Sequence, residues 1–255
     1  MLGIIGGTGV SSILRRGKEE VINTPYGKAR VLLDRENEVV LLFRHGLKHT
    51  IPPHRINYRA NIYALKMLGV ERILSINTVG SLKEYIEPGR FFIPQDFIEF
   101  TKSRPSTYYD GENNKVMHID LSEPYCPEVV SILRDILDRR GYPYSEGVYI
   151  CTEGPRFETK AEIKFYRSLG DVVGMTGYPE VALARELGLC YSSLCTVTNY
   201  AAGISKDRLT VDEVFDVVKK MEEKLVNTVE DFIEHPHTRE KSCQCAEIPK
   251  YCTVK

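Results

Sequence analysis

Short apolar runs recur along the chain at positions 2–5, 39–43, 73–77, 91–93, 148–152, 172–175 and 190–198. Each has the length of a strand, and the near absence of polar alternation predicts strands buried on both faces of a sheet. Burial on both faces requires helices between the strands, and the intervening pattern supplies them. A helix is predicted over 56–68. Another runs over 179–187, opening on Pro179 where the missing N–H costs nothing. The longest begins at Thr210-Val211-Asp212-Glu213, which has capping-box spacing. Along it Val214, Phe215, Val218, Met221, Leu225, Val229 and Phe232 make one apolar stripe, predicted to face the core. The alternation predicts an α/β fold with a parallel sheet covered on both sides.

Periodicity persists without internal repeat or linker to about residue 235, so a single domain is expected over 1–235, followed by a Cys-containing tail over 236–255. A length of 255 residues suits one α/β domain with one large core. The stretch 101–116, rich in Ser, Pro, Tyr, Asp, Gly and Asn, has no pattern. Long irregular loops in compact domains are often functional, so it is expected to border the site.

An apolar fraction of 42%, a charged fraction of 27% and a formal net charge of -1 give no pull toward nucleic acid or membrane. No apolar run approaches a membrane span and no leader pattern opens the chain, so a cytoplasmic protein with a small-molecule partner is expected. Of the seven cysteines, Cys126, Cys151, Cys190 and Cys195 sit in apolar surroundings and read as small core hydrophobes. Cys243, Cys245 and Cys252 crowd the tail. Cys243-Gln244-Cys245 lacks the two-pair spacing of a zinc site and reads as thiols, a strained redox pair, or a disulfide with Cys252.

The chemistry concentrates at strand ends. Ile5-Gly6-Gly7-Thr8-Gly9 follows a strand with flexible N–H groups and a hydroxyl, either an anion cradle or a tight structural turn. A dinucleotide fingerprint would also need an acidic residue at the end of a second strand, and 23–27 looks like a turn instead. Arg44-His45 ends the next apolar run, offering a guanidinium to grip phosphate bidentately and an imidazole donor. A metal reading of His45, His49 and His54 lacks accompanying carboxylates and a helical face, so no metal is expected. Asn77-Thr78, Glu153 to Glu158, Met175-Thr176-Gly177 and Thr198-Asn199-Tyr200 complete a rim of polar groups. Convergence of Thr8, Arg44, His45, Asn77 and Thr78 on one phosphate would explain three of these strand ends together.

In this order the motifs resemble the trimeric purine nucleoside phosphorylase and methylthioadenosine phosphorylase family: Gly-Gly-Thr-Gly at Gly6, Arg-His-Gly at Arg44, Glu-Gly-Pro-Arg-Phe at Glu153 and Met-Thr-Gly-Tyr-Pro-Glu at Met175. The likeness runs from Gly3 to about Ile233. It implies a three-layer phosphorylase-type fold with a mixed, twisted, barrel-like central sheet, in place of the purely parallel one. It also implies a homotrimer or a dimer of trimers, and inorganic phosphate as co-substrate with no other cofactor. By resemblance Thr8, Arg44, His45, Asn77, Thr78 and Thr176 hold phosphate, with His45 and Asn199 counted as catalytic. Met175 lies along the sugar, and Phe157, Asn199, Tyr200, Ala201 and His118 contact substrate, His118 from across a subunit interface.

The adenine-cleaving branch resembles Asp-x-Asp where this chain has Asn199-Tyr200-Ala201. Asn supplies an amide N–H to a 6-oxo acceptor, whereas a 6-amino donor wants a carboxylate. Glu158 agrees, since only a 6-oxopurine presents N1–H to a carboxylate. Val211 stands where inosine and guanosine phosphorylases resemble one another in carrying a histidine for the 5′-hydroxyl. A pocket of Val211 and Phe215 would favour a 5′-methylthio group; core packing is the alternative for both. The expectation is phosphorolysis of inosine, guanosine or 5′-methylthioinosine. A 5′-methylthioadenosine phosphorylase and a non-catalytic nucleoside or dinucleotide-binding module are the alternatives.

Overall fold

In the computed structural model, which describes residues 1–7, 17–111, 115–205, 210–238 and 241–254, the elements follow one another as β1 (Leu2–Gly6), β2 (Lys18–Thr24), β3 (Gly27–Asp34), β4 (Val39–Phe43), α1 (Tyr58–Met67), β5 (Arg72–Ser81), β6 (Phe91–Phe100), α2 (Pro127–Arg140), β7 (Tyr144–Thr152), α3 (Lys160–Tyr166), β8 (Val172–Gly174), α4 (Gly177–Glu186), β9 (Cys190–Tyr200), α5 (Val211–Glu234) and α6 (Ile248–Cys252). The apolar runs are all strands. None of the described helices is long and apolar enough to cross a membrane.

The sheet is mixed, correcting the parallel expectation drawn from the apolar runs. β1 lies parallel to β4 and β5, and β5 to β9, but β2, β3 and β4 are antiparallel neighbours, as are β5 with β8 and β6 with β9. The physical reason is local. β2 and β3 are a hairpin at the sheet edge, and β2 carries charged residues on an exposed strand, so it leaves no apolar run to detect.

The pairings β5–β8, β8–β7, β7–β6, β6–β9 and β9–β5 close a ring of strands, from which β1, β4, β3 and β2 extend as an open wing. Val79, Phe92, Tyr149, Cys151, Cys195 and Val197 pack together as one buried cluster on these strands. One edge of β5 is occupied by β9 along its whole length. The other edge pairs with β1 over Arg72 to Ser75 and with β8 only at Gly80 and Ser81. Between them, at 76–79, β5 has parted from one neighbour without meeting the next. Such a split is where open α/β sheets accept ligands.

Helix α5 is capped by Thr210, whose side chain accepts from the Glu213 amide, and its stripe buries Val218, Met221, Leu225, Val229 and Phe232 as expected. The stripe stops short of Phe215, which is 50% exposed, as is Val211 at 55%. Core packing of these two residues is therefore excluded. Cys126, Cys151, Cys190 and Cys195 are buried, but the division between core and tail thiols fails, because Cys243 and Cys245 fold back onto Cys126 and Cys190. Cys252 stands apart from that group, and all seven cysteines are free, so a bridge to Cys252 is not formed.

Candidate active site

The split in the sheet opens into a cavity of ≈ 510 Å³, within the range of small-molecule sites. Its wall includes Arg44, His45, Thr78, Met175, Thr176, Asn199, Ala201, Phe157 and Glu158. These are nine of the residues singled out from sequence, drawn from the ends of five strands. Thr8 lies outside the described residues.

Arg44 has a protein partner at each of its three guanidinium nitrogens. Its guanidinium is buried, with Nε donating to Glu180 Oε1 at 2.8 Å and Nη2 to Oε2 at 3.0 Å. Nη1 donates to the Ile76 carbonyl at 2.6 Å, and Nη2 also reaches Ser75 Oγ. The bidentate partner is thus a carboxylate of the protein, because Tyr191 and Ser75 donate to Glu180 Oε2 and hold it beneath the cavity. Glu180 thus balances the guanidinium charge at the cavity wall.

His45 has one ring nitrogen committed within the protein. Its Nδ1 lies 2.8 Å from the Ile51 carbonyl, which can only accept, so Nδ1 carries the proton. Burial, then the adjacent Arg44 charge, lowers its pKa to about 4. A neutral ring with protonated Nδ1 leaves Nε2 as a lone pair. His49 packs against it with ring centroids 4.4 Å apart and is also held below the usual histidine range, chiefly by burial.

Thr176 and Asn77 form a short chain. Thr176 Oγ1 donates to Asn77 Oδ1 at 3.2 Å, and Asn77 Nδ2 donates to Ser193 Oγ at 3.1 Å. Asn77 is buried and does not line the cavity; its side chain links Thr176 to Ser193. The Tyr149 hydroxyl accepts from the Thr176 and Gly177 amides at 3.3 Å each. That fixes the turn leading into α4.

Asn199 is 5% exposed at the end of β9. Its Oδ1 accepts from Thr198 Oγ1 at 2.8 Å and its Nδ2 donates to the Tyr200 carbonyl at 3.0 Å, leaving a second amide N–H for a ligand. The Asn199 amide fits because residue 80 is glycine: a Cβ there would meet Nδ2 at 3.0 Å. Glu158 accepts from Thr152 Oγ1 at 2.6 Å, and burial raises its pKa above the ordinary glutamate value.

Four expected contacts fall elsewhere. Tyr200 turns away, its hydroxyl donating to the Glu84 carbonyl at 3.1 Å. His118 is exposed, with its amide bonded to the Cys252 carbonyl at 2.9 Å, and does not line this chain's cavity. Val211 and Phe215 are not on the wall either; Val214, on the same first turns of α5, is. Val211 and Val214 stand at i and i+3 on one face of the helix, and Val214, one turn further along, is the one at the cavity wall.

Sequence reasoning missed Arg104, from the patternless 101–116 stretch. It is 8% exposed, and its Nη1 donates to the carbonyls of Met175 at 2.7 Å and Tyr178 at 2.8 Å. Nη2 donates to the Glu153 carbonyl at 2.5 Å. One guanidinium thereby ties together the two loops that carry Met175 and Glu158. The only signal was a charged residue in a loop already expected to border the site.

Comparisons with known proteins agree with this geometry. The chain is 64% identical over 254 residues to a Methanocaldococcus jannaschii protein named "Probable S-methyl-5'-thioinosine phosphorylase", with 100% of each covered. It is 47% identical to the 6-oxopurine nucleoside phosphorylase of Pyrococcus furiosus, covering 99% of this chain and 98% of that one. The structure superposes on methylthioadenosine phosphorylase from Schistosoma mansoni in complex with adenine with a TM-score of 0.90 at 30% identity, covering 98% of this chain and 96% of the other. The model of the phosphorylase superfamily matches residues 2–234, and the chain belongs to that superfamily.

Proposed function

We propose that this protein is a phosphorylase that cleaves the N-glycosidic bond of 6-oxopurine nucleosides with inorganic phosphate, and that 5′-methylthioinosine is its preferred substrate. A phosphate oxygen forms a bond to C1′ as the C1′–N9 bond breaks, and the electron pair departs with the purine. Positive charge builds on the ribose and negative charge on the base, so the site must hold an anion beside C1′ and offer donors to the base. Phosphate is a co-substrate, and this chemistry calls for no further cofactor.

The observation that carries the reading is the pairing, on one cavity wall, of an uncommitted Asn199 N–H with the Glu158 carboxyl group. The free Asn199 N–H donates to an acceptor on the 6-oxopurine edge, O6 or N7. Glu158 accepts from N1–H, which adenine lacks. Thr78 and Thr8 supply hydroxyl donors to phosphate, and Thr176 joins them when its hydroxyl turns from Asn77 Oδ1 to the anion. Neutral His45 accepts from a phosphate P–OH through Nε2. Met175 and Phe157 supply apolar surface beside the sugar and base, and Val214 cannot donate to a 5′-hydroxyl, which favours the methylthio group. The names of the relatives at 64% and 47% identity fit the same substrate class.

Methylthioadenosine is the second reading, favoured by the fold neighbour, but Ala201 on the wall offers no carboxylate to a 6-amino group. Incubation with inosine, guanosine, methylthioinosine and methylthioadenosine, with and without phosphate, decides between them. Free hypoxanthine from methylthioinosine, formed only with phosphate, is the expected result. Efficient cleavage of methylthioadenosine alone would overturn the roles of Asn199 and Glu158. His118, exposed and remote from its own cavity, and the exposed Val211 and Phe215 suit a trimer or a dimer of trimers in the cytoplasm, testable by sedimentation.

A further inference from the structure

Four cysteines far apart in sequence meet at the opposite end of β9 from Asn199, a separation of about 30 Å along the strand. Cys126 caps α2, Cys190 opens β9, and Cys243 and Cys245 come from the tail. Their four Sγ atoms all lie within 4.8 Å of one another, with Cys126 to Cys243 at 3.7 Å and Cys190 to Cys243 at 3.3 Å. Four thiolates at zinc-bond length on the corners of a tetrahedron would be about 3.8 Å apart. A disulfide instead holds two sulfurs at about 2.05 Å and needs no third or fourth partner. Here every sulfur faces the other three.

The surroundings are built for negative charge on sulfur. Arg185, 3% exposed, donates from Nη1 to Cys245 Sγ at 3.2 Å. The Cys245 amide donates to Cys243 Sγ. The tail is held in place independently of the sulfurs: the Ser242 amide and hydroxyl donate to Glu128 Oε1 at 2.8 and 2.5 Å, while Arg72 donates to Oε2 at 2.5 Å. Gly188, at φ +67, lets the chain at Ala246 approach to 3.2 Å of where a Cβ would stand. A Cys-x-Cys pair supplies only half a ligand set, which is why sequence spacing alone argued against zinc. The other half comes from residues 53 or more positions away.

We infer that Cys126, Cys190, Cys243 and Cys245 form a tetrathiolate site for a thiophilic divalent cation of the zinc class, which clamps the tail onto α2 and β9. With four protein ligands the site is closed and structural, since no position is left for water or substrate.

The test uses the untagged full-length protein purified anaerobically, measured by elemental analysis and intact mass. About one zinc per chain is expected, together with a mass equal to that of the reduced chain after denaturation in chelator. After chelation, added Co²⁺ should give the sulfur-to-cobalt charge-transfer and tetrahedral bands of a thiolate site. Chelation should lower the thermal midpoint by about 5 °C or more. Paired Cys243→Ser and Cys245→Ser substitutions should abolish metal retention while kcat/KM stays unchanged. A metal-free chain lighter by the hydrogens of one or two disulfides would overturn the proposal. So would four free thiols that take up neither zinc nor cobalt, or retention of metal by the double variant. The wild-type measurements stand even if the variant fails to fold.

Discussion

Arg44 and Glu180, 136 residues apart in sequence, form a buried ion pair beneath the cavity, each side chain 1% exposed. A buried pair returns little net stability over an apolar one, but losing one member strands the other charge. Glu180→Gln is therefore expected to lower unfolding free energy by about 3–5 kcal/mol in urea titrations. The double variant Arg44→Met with Glu180→Leu should recover most of that loss. A double variant no more stable than Glu180→Gln would mean that the arginine's bonds to Ser75 and the Ile76 carbonyl dominate instead.

The state of His45 makes stability depend on pH with a definite sign. The unfolded chain protonates this ring near 6.5, whereas the folded ring stays neutral down to about 4, because burial and then the Arg44 charge oppose protonation. Between those values the unfolded state binds more protons, so stability falls as pH drops through the window. The loss from pH 7 to pH 5 should be about 2 kcal/mol from this group, and His49 adds to it in the same direction. Denaturant titrations at the two pH values, on wild type and His45→Gln, measure the difference, which should shrink in the variant. An unchanged slope in His45→Gln would show that the ring titrates normally.

The rim of strand ends was legible because fully buried strands deliver polar residues abruptly: Arg44 after β4, Thr78 within β5, Thr176 after β8, Asn199 in β9. The directions of those strands were not, because an apolar run looks the same in parallel and antiparallel pairs. The β2–β3 hairpin left no signal, as its outer strand is charged and exposed. Arg44 was read as a phosphate ligand from its place at a strand end, and its pairing with Glu180, 136 residues away, left no local signal. Val214 was passed over for Val211 and Phe215 because spacing gives a helix face without saying where on it the cavity opens.

Asn199 and Gly80 offer a paired test of base recognition. Asn199→Asp replaces the uncommitted N–H by an acceptor facing O6, and removal of one such donor costs about 100-fold or more in rate. Turnover of methylthioinosine should fall by that order, with relative preference moving toward methylthioadenosine. Gly80→Ala keeps the amide but places a methyl 3.0 Å from Nδ2, so it should lower kcat/KM about tenfold by displacing the donor. Steady-state kinetics on both substrates separate the two effects: the aspartate changes the ratio between bases, and the alanine lowers both. An alanine variant with full activity would show that the amide's position is not critical.

The proposed function sets the 5′ end of the sugar against the first turns of α5, where Val214 reaches the cavity while Val211 and Phe215 stay exposed. An apolar wall gains from burying a methylthio group and leaves a hydroxyl without a partner, an asymmetry worth about 1–3 kcal/mol. Val214→His introduces a donor at that wall and should raise kcat/KM for inosine relative to methylthioinosine by roughly tenfold or more. Val211→His, exposed and one turn off the wall, should change the ratio less. Measuring both ratios places the 5′ pocket directly: a shift from Val211→His but not from Val214→His would mean that the start of α5 rotates when substrate binds.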